Sequence, residues 1–265
     1  MKNLKITVIG GGNMGGALIE GFLKSGQIAK EQIVVATPDE PGQKRFRALG
    51  LTVFADNRPA VEGANLVIVA VKPWLVETVA TDIKGALRAD TLIVSVAAGV
   101  SLDTLRGYFG ENARCFRAIP NIAAALGEAV SFVTCGDREE ASLPTVLKLF
   151  GLVGEAASIP EKLMDAGMVV ASCGTAYALR YVRAAMEASI EMGLAAGLSR
   201  TVVAQTMRGA AALLLNGDLH PEALIDQVTT PGGVTIVGLN AMEQSGFTAS
   251  VIEGHKAAYK HVKGK

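Results

Sequence analysis

Two different periods of apolar and polar positions divide this chain. Through about residue 160, short apolar-rich runs recur at 4–9, 33–36, 51–55, 66–71, 91–96, 114–119 and 129–135, and 154–159 closes the region. The run Leu66-Val67-Ile68-Val69-Ala70-Val71 has no polar position, as expected of a strand covered on both faces. Between the runs lie stretches with helical spacing at 14–24, 40–49, 75–87 and 138–150, and a short one after Ser101. Gly50 stops the second of these, and Ser101 caps the short one, with Asp103 and Thr104 in its first turn. Pro144 is the weak point of the stretch at 138–150. Strands alternating with helices across short turns predict a parallel α/β sheet wound by right-handed crossovers.

After Pro160 only the helical period remains, at 161–173, 176–196, 201–216, 221–228, 234–244 and 248–262. Ser199 and Thr248 are the expected N-caps, and Pro221 stands where a first helical residue would. The change of period, with no linker, predicts two domains, 1–160 and 161–265. The second is an all-helical domain with little polar face: Ala184-Ala185-Met186, Leu194-Ala195-Ala196 and the run 209–215 are nearly all apolar or small. Helices apolar all round are buried against something. A homodimer through this half is the expectation.

Charge and cysteine content narrow the function classes. Lys plus Arg and Asp plus Glu are 25 each, so the formal net charge is zero. That excludes the basic excess of a nucleic-acid binder and electrostatic docking on an anionic membrane. Cys115, Cys135 and Cys173 are far apart and odd in number, so they give neither a disulfide framework nor a metal spacing. No apolar run reaches the roughly 18 residues that span a bilayer. The N-terminus, Met1-Lys2-Asn3, leads straight into a strand pattern without a signal sequence. A cytoplasmic protein is expected, free of nucleic acid and membrane.

The first chemical signal is Ile6-Thr7-Val8-Ile9-Gly10-Gly11-Gly12-Asn13-Met14-Gly15. Gly10, Gly12 and Gly15 form GxGxxG between a strand and a helix, the context that a dinucleotide fingerprint requires. Gly10 permits the tight turn, Gly12 lets backbone approach a diphosphate, and Gly15 lets helix pack on strand. Amides at the helix start, including those of Asn13 and Met14, would face the diphosphate. This makes the first domain a Rossmann-type dinucleotide-binding domain. After the second strand comes Thr37, and an acid arrives only at Asp39. A hydroxyl at Thr37 can donate to a ribose 2′-phosphate where an acid would repel it, so NADPH is favoured, with NADH possible. Lys44, Arg45 and Arg58 are the candidate cations. Two further strand-end loops, Ala70-Val71-Lys72-Pro73 and Ala97-Ala98-Gly99-Val100, carry small residues where ligands bind in open sheets.

The second signal is Val228-Thr229-Thr230-Pro231-Gly232-Gly233-Val234-Thr235. Two glycines ahead of a helix can expose backbone amides as an anion nest, and the helix adds its positive end. Thr230 and Thr235 add hydroxyl donors, and the set suits a small carboxylate. His220, His255 and His261 stand apart from any nucleophile motif, and no metal spacing occurs. What remains is hydride chemistry on a small carboxylate-bearing substrate, with the cofactor carrying the reaction.

These segments, with Ala70-Val71-Lys72-Pro73, Ala97-Ala98-Gly99-Val100, His220-Pro221 and the run 228–243, resemble pyrroline-5-carboxylate reductase over essentially the whole chain. The resemblance implies NAD(P)H-dependent reduction of 1-pyrroline-5-carboxylate to L-proline, the last step of proline biosynthesis. It also implies an N-terminal Rossmann domain and a C-terminal helical dimerisation domain, often assembled into decamers. By the resemblance, Gly10 to Gly15 would hold the diphosphate, and Thr37 and Asn57 would lie near the adenosine ribose. Ala70, Val71, Lys72, Pro73, Ala97, Ala98 and Gly99 would line the nicotinamide side. Val228, Thr229, Thr230, Gly232, Gly233 and Thr235 would bind substrate. Thr235 would be the catalytic residue, hydrogen-bonding the imine nitrogen. Asp218 lies where family members tend to carry an acid. Two segments depart from the family pattern: Cys173-Gly174-Thr175-Ala176-Tyr177 replaces Gly-Pro-Ala-Tyr, and Pro120-Asn121-Ile122-Ala123 replaces Asn-Thr-Pro. A related imine reductase, a reductase like 3-hydroxyacid dehydrogenase and a non-catalytic NADP sensor are the alternatives. The dehydrogenase chemistry needs a helix lysine, and residues 161–207 hold only Lys162.

Overall fold

Aliphatic and β-branched residues that can be covered on both faces build the central strands. The computed structural model describes residues 4–264. Met1-Lys2-Asn3, on which the expected absence of a leader partly rests, lie outside them. Among the described residues, one sheet is formed by β1 (Ile6–Ile9), β2 (Ile33–Ala36), β3 (Thr52–Phe54), β4 (Leu66–Val69), β5 (Leu92–Ser95), β6 (Arg114–Ile119), β7 (Ala129–Cys135) and β8 (Gly154–Ser158). Their order is β3-β2-β1-β4-β5-β6-β7-β8. Every pair is parallel except β6 with β7, so the expected mainly parallel sheet is observed. Every position of β1, β2, β4 and β5 is buried.

The order reverses between β1 and β4, which are hydrogen-bonded neighbours. That is the topological switch point, where open α/β sheets bind ligands beyond the carboxyl ends of the strands. Register brings those ends level, since Ile9 faces both Ala36 and Val69. One face of the sheet packs on α1 (Asn13–Lys24) and α6 (Leu143–Phe150), around the fully buried Phe22, Phe46, Phe116 and Phe150. Burying a side chain of that size contributes about 1.5–3 kcal/mol. The other face packs on α3 (Asn57–Val61), α4 (Val76–Ile83) and α5 (Leu102–Phe109). The remaining helix of this half's crossovers is α2 (Glu40–Ala48), after β2.

Several boundaries differ from the sequence reading. The five-residue α3 is too short for a periodicity to announce it. The stretch at 138–150 is a 3-10 segment, Asp137–Ser142, followed by α6, with Pro144 among its first residues, where a missing N–H costs nothing. Ser101 does cap α5, accepting from the Thr104 amide at 3.1 Å. The stretch at 161–173 is a 3-10 turn, α7 (Met164–Met168) and a π-helical turn, Val169–Cys173.

The chain divides into two compact units, one ending at Ser172 and one beginning at Cys173. Residues 161–172 pack with the first unit, where Met164, Val169 and Ala171 are buried and Glu161 pairs with Arg117 of β6. The second unit holds α8 (Gly174–Glu191), α9 (Ala196–Leu215), α10 (Pro221–Val228), α11 (Val234–Gln244) and α12 (Phe247–Lys263). Ser199 is no N-cap: it sits inside α9, its buried hydroxyl bonded to that of Ser189 on α8. Thr248 is likewise inside α12, donating to Glu243 at 2.7 Å, and Gly246 takes the cap position. Pro221 does open α10, where the His220 ring accepts from the Glu222 amide. Ser189 and Ser199 are the only buried residues described in this unit, while Leu215, Val234, Val237 and Ile252 are exposed. Among the described residues, no helix is long and apolar enough to cross a membrane.

Candidate active site

The first cluster forms where β1 ends. The Gly10 amide donates to the Ala36 carbonyl, and the Ala70 amide donates to the Ile9 carbonyl, both at 2.8 Å. Gly10 has φ +103°, and a Cβ there would lie 2.5 Å from the Ala70 carbonyl oxygen, so glycine is required on both counts. Gly15 is the packing glycine: a Cβ there would run into the Gly10 carbonyl. Gly12 differs from both. It is exposed, caps α1 with no side chain, and a Cβ on it would meet nothing within 4 Å. Open space beside the first-turn amides of Asn13, Met14 and Gly15 is what a diphosphate needs.

The strand-end loops surround this turn. Thr37 is buried, and its hydroxyl donates to Asp39 at 2.5 Å. Asp39 in turn caps α2, accepting from the Gly42 amide at 2.7 Å. The Thr37 hydroxyl, then the Gly42 amide, hold the Asp39 carboxyl below the usual range. The Thr37 proton expected to meet a 2′-phosphate is therefore already committed, because the first acid after β2 folds back to cap its own helix. Lys44 and Arg45 are also engaged, with Glu40 at 2.7 Å and Glu20 at 2.6 Å. Asn57 donates to Asp82 at 3.0 Å, and the neighbouring Arg58 is exposed. Lys72 is exposed, Pro73 opens a 3-10 turn, and Ala98 and Gly99 are exposed beyond β5. The first unit thus places Gly10, Gly12, Asn13, Met14, Gly15, Thr37, Asn57, Ala70, Val71, Lys72, Pro73, Ala97, Ala98 and Gly99 beyond the carboxyl ends of β1 to β5.

The second cluster lies in the helical unit. The Gly233 amide donates to the Thr230 carbonyl at 2.9 Å across Pro231 and Gly232, and Gly232 has φ +69°. Proline followed by glycine in the left-handed region is the signature of a type II turn. One feature differs from the expected nest. The Gly233 amide is used inside the turn, so the free donors are those of the first turn of α11, at Val234, Thr235 and Ile236. The Thr229 hydroxyl is spent on the Ile225 carbonyl at 2.8 Å. Val228 and Thr235 line an apolar cleft of about 590 Å³ with Tyr181, Met207, Leu214 and Leu239. A larger cleft, about 690 Å³ between α8, α11 and α12, holds none of the candidate residues.

The segment 161–265 matches the family described as pyrroline-5-carboxylate reductase dimerisation, and residues 5–99 match the family described as NADP oxidoreductase, coenzyme F420-dependent. The pyrroline-5-carboxylate reductase of Methanosarcina acetivorans is 36% identical over 94% of this chain and 93% of its own length. The chain belongs to the pyrroline-5-carboxylate reductase family. A pyrroline carboxylate reductase of Plasmodium falciparum, solved with NADP bound, superposes with a TM-score of 0.90 at 26% identity, covering 100% of this chain and 98% of that one. The 1-pyrroline-5-carboxylate reductase of Streptococcus pyogenes superposes with a TM-score of 0.87 at 28% identity, covering 99% of both chains. The reductase fold therefore runs through both units.

Sequence reasoning missed one set of contacts in this reductase. The two segments that depart from the family pattern adjoin hydrogen-bonded neighbours: Asn121 donates to the Ala171 carbonyl and Ser172 to the Pro120 carbonyl, each at 3.1 Å. Fifty residues of separation left no periodicity to reveal the pairing.

Proposed function

We propose that this chain reduces 1-pyrroline-5-carboxylate to L-proline with NADPH, as the last step of proline biosynthesis. The observation that carries the reading is the Thr229-Thr230-Pro231-Gly232-Gly233 turn on the N-terminus of α11, in a chain of this family whose Gly12 leaves open space beside α1. The described residues fit a dinucleotide, since a side chain at Gly12 would fill the cradle. Gly10, Gly12, Asn13, Met14 and Gly15 hold the diphosphate through backbone. Thr37 and Asn57 shape the adenosine ribose pocket, and the exposed Arg58 is the cation left for a 2′-phosphate. Ala70, Val71, Lys72, Pro73, Ala97, Ala98 and Gly99 line the nicotinamide end. When bound, NADPH supplies a hydride to the imine carbon.

The chain's own residues do the rest. First-turn amides of α11 and the Thr230 hydroxyl hold the carboxylate, with Val228, Thr229, Gly232 and Gly233 shaping the turn. Thr235 hydrogen-bonds the imine nitrogen. A threonine hydroxyl is too weak an acid to donate outright, so the proton passes through it from water or arrives on the substrate. Apolar walls of the cleft exclude water and strengthen these contacts. Lys162, the one lysine in 161–207, is exposed in a 3-10 turn rather than on a helix, which disfavours hydroxyacid dehydrogenase chemistry.

The helical unit pairs with a second copy, in our reading. Many of its apolar side chains, such as Leu215, Val234 and Ile252, are exposed, and among its described residues only Ser189 and Ser199 are buried, so it has little core of its own. A decamer built from such dimers is the larger assembly to test by light scattering. Three free thiols suit a reducing cytoplasm. The two segments that depart from the family pattern, 120–123 and 173–177, are the ground for a second reading, a related cyclic imine as the preferred substrate.

The test is NADPH oxidation with 1-pyrroline-5-carboxylate, and NADH in parallel. Rapid proline formation, faster with NADPH, is expected. Tight NADPH binding without turnover of any cyclic imine would refute the enzyme reading and leave a sensor.

A further inference from the structure

We propose that Glu161 is a positioning residue for the reaction: it fixes the Ala97-Ala98-Gly99 turn from behind. The proposal rests on the reading that this turn lines the nicotinamide end of the cofactor site. Glu161 Oε1 accepts two hydrogen bonds, from the Leu102 amide at 2.8 Å and from Arg117 Nη1 at 2.7 Å. Leu102 is the first residue of α5, which follows the turn directly. A first-turn amide has no partner inside its helix, and a carboxylate there is favoured by the helix dipole. Arg117 is buried in β6, in register with Ser95 of β5 and Thr134 of β7, so the carboxylate is anchored to the middle of the sheet.

The apex of the turn is the part with least to hold it. Ala98 and Gly99 are exposed, and Gly99 has φ +75°. At its start the Ala97 amide reaches the Ser95 hydroxyl at 3.3 Å, and at its end stands the Glu161 bond to Leu102. Between those two ties the Ala97 and Val100 side chains pack into the core and Ser101 caps α5, so the positions with no packing of their own are Ala98 and Gly99. Loss of the second tie frees the turn where the reacting ring would lie, and it leaves the adenosine end untouched.

The experiment compares two ligands on the full chain, NADPH and 2′,5′-ADP, which carries only the adenosine half. For Glu161→Ala, the NADPH Kd rises about tenfold while that for 2′,5′-ADP stays within about twofold, and kcat falls about tenfold as the reacting ring loses its place. Glu161→Gln keeps an acceptor oxygen for Leu102 and recovers most of both. Glu161→Asp keeps a charge beside Arg117 but shortens the reach, so it shows the same split at smaller size even if the alanine variant does not fold. Equal weakening of both ligands would assign Glu161 to general stability and overturn the proposal. So would unchanged NADPH affinity and kcat, or a glutamine variant no better than alanine. Wild-type protein that neither binds nor oxidises NADPH would instead overturn the underlying cofactor reading.

Discussion

Gly12 and Gly15 lie three residues apart in one motif, yet the structure gives them opposite consequences on substitution. At Gly12 a Cβ meets nothing within 4 Å, and φ −69° with ψ −165° is an ordinary extended conformation. Gly12→Val therefore costs the fold only the poorer cap, about 1 kcal/mol, which lowers Tm by about 2–4 °C for a unit of this size. The new side chain occupies the space in which a diphosphate would reach the α1 amides. NADPH affinity should fall at least about 100-fold, near 2.7 kcal/mol. At Gly15 a Cβ runs into the Gly10 carbonyl and lies 3.2 Å from Ala70 Cβ, with backbone on one side that cannot swing away. Gly15→Ala is an overpacking substitution worth about 1–3 kcal/mol, so its Tm falls by up to about 12 °C. Fluorescence titration of NADPH and thermal melts on both variants separate the two effects. If Gly12→Val binds NADPH within threefold of wild type, or melts as low as Gly15→Ala, the division into a binding glycine and a packing glycine is wrong.

Three further outcomes are expected. Thr235→Ala lowers kcat/KM about 100-fold, near 2.7 kcal/mol, with little change in NADPH affinity; steady-state kinetics that match wild type would remove Thr235 from the mechanism. Ile252→Asp changes an exposed position of α12, so an isolated chain should tolerate it within about 0.5 kcal/mol. Light scattering should nevertheless report loss of the dimer, and an unchanged mass would move the interface elsewhere. Burial pushes the Cys115 thiol up to about 12. The unfolded chain sheds that proton near pH 9 and the folded chain does not, so this residue's contribution to stability declines between pH 9 and 12. Denaturant unfolding of wild type and Cys115→Ala should show their difference shifting by up to about 1.4 kcal/mol per pH unit in that window and flat below it.

Much of this architecture was legible because local physics wrote it. All-aliphatic runs such as 66–71, bounded by helical stretches, read as strands covered on both faces, and each of the seven expected strands is observed, with β8 added at the end of the region. The glycine spacing at 10, 12 and 15 is equally local, because it answers to backbone contacts between β1 and α1. The small-residue, apolar helices after 173 foretold exposed faces for the same reason. Caps were less legible: Ser199 and Thr248 have the right side chains, but Gly246 and Ala195 start those helices earlier, and the hydroxyls turn to Ser189 and Glu243 instead.

What tertiary structure decided is which donors remain free. Sequence placed a hydroxyl at Thr37 and cations at Lys44, Arg45 and Arg58. The structure commits the Thr37 proton to Asp39 and pairs Lys44 with Glu40, both within a helical turn along the chain, while only the packed fold brings Arg45 to Glu20, leaving Arg58. Likewise two glycines at 232 and 233 promised two free amides, and the turn uses one of them. The antiparallel β6–β7 pairing, the contact of Asn121 with Ala171 and the reach of Glu161 to Leu102 span from under 20 to about 60 residues. A donor proton is committed to one acceptor, and which acceptor it meets is settled by distance in space. Periodicity along a chain records which face is buried, so it carries the elements and leaves those pairings to the packed fold.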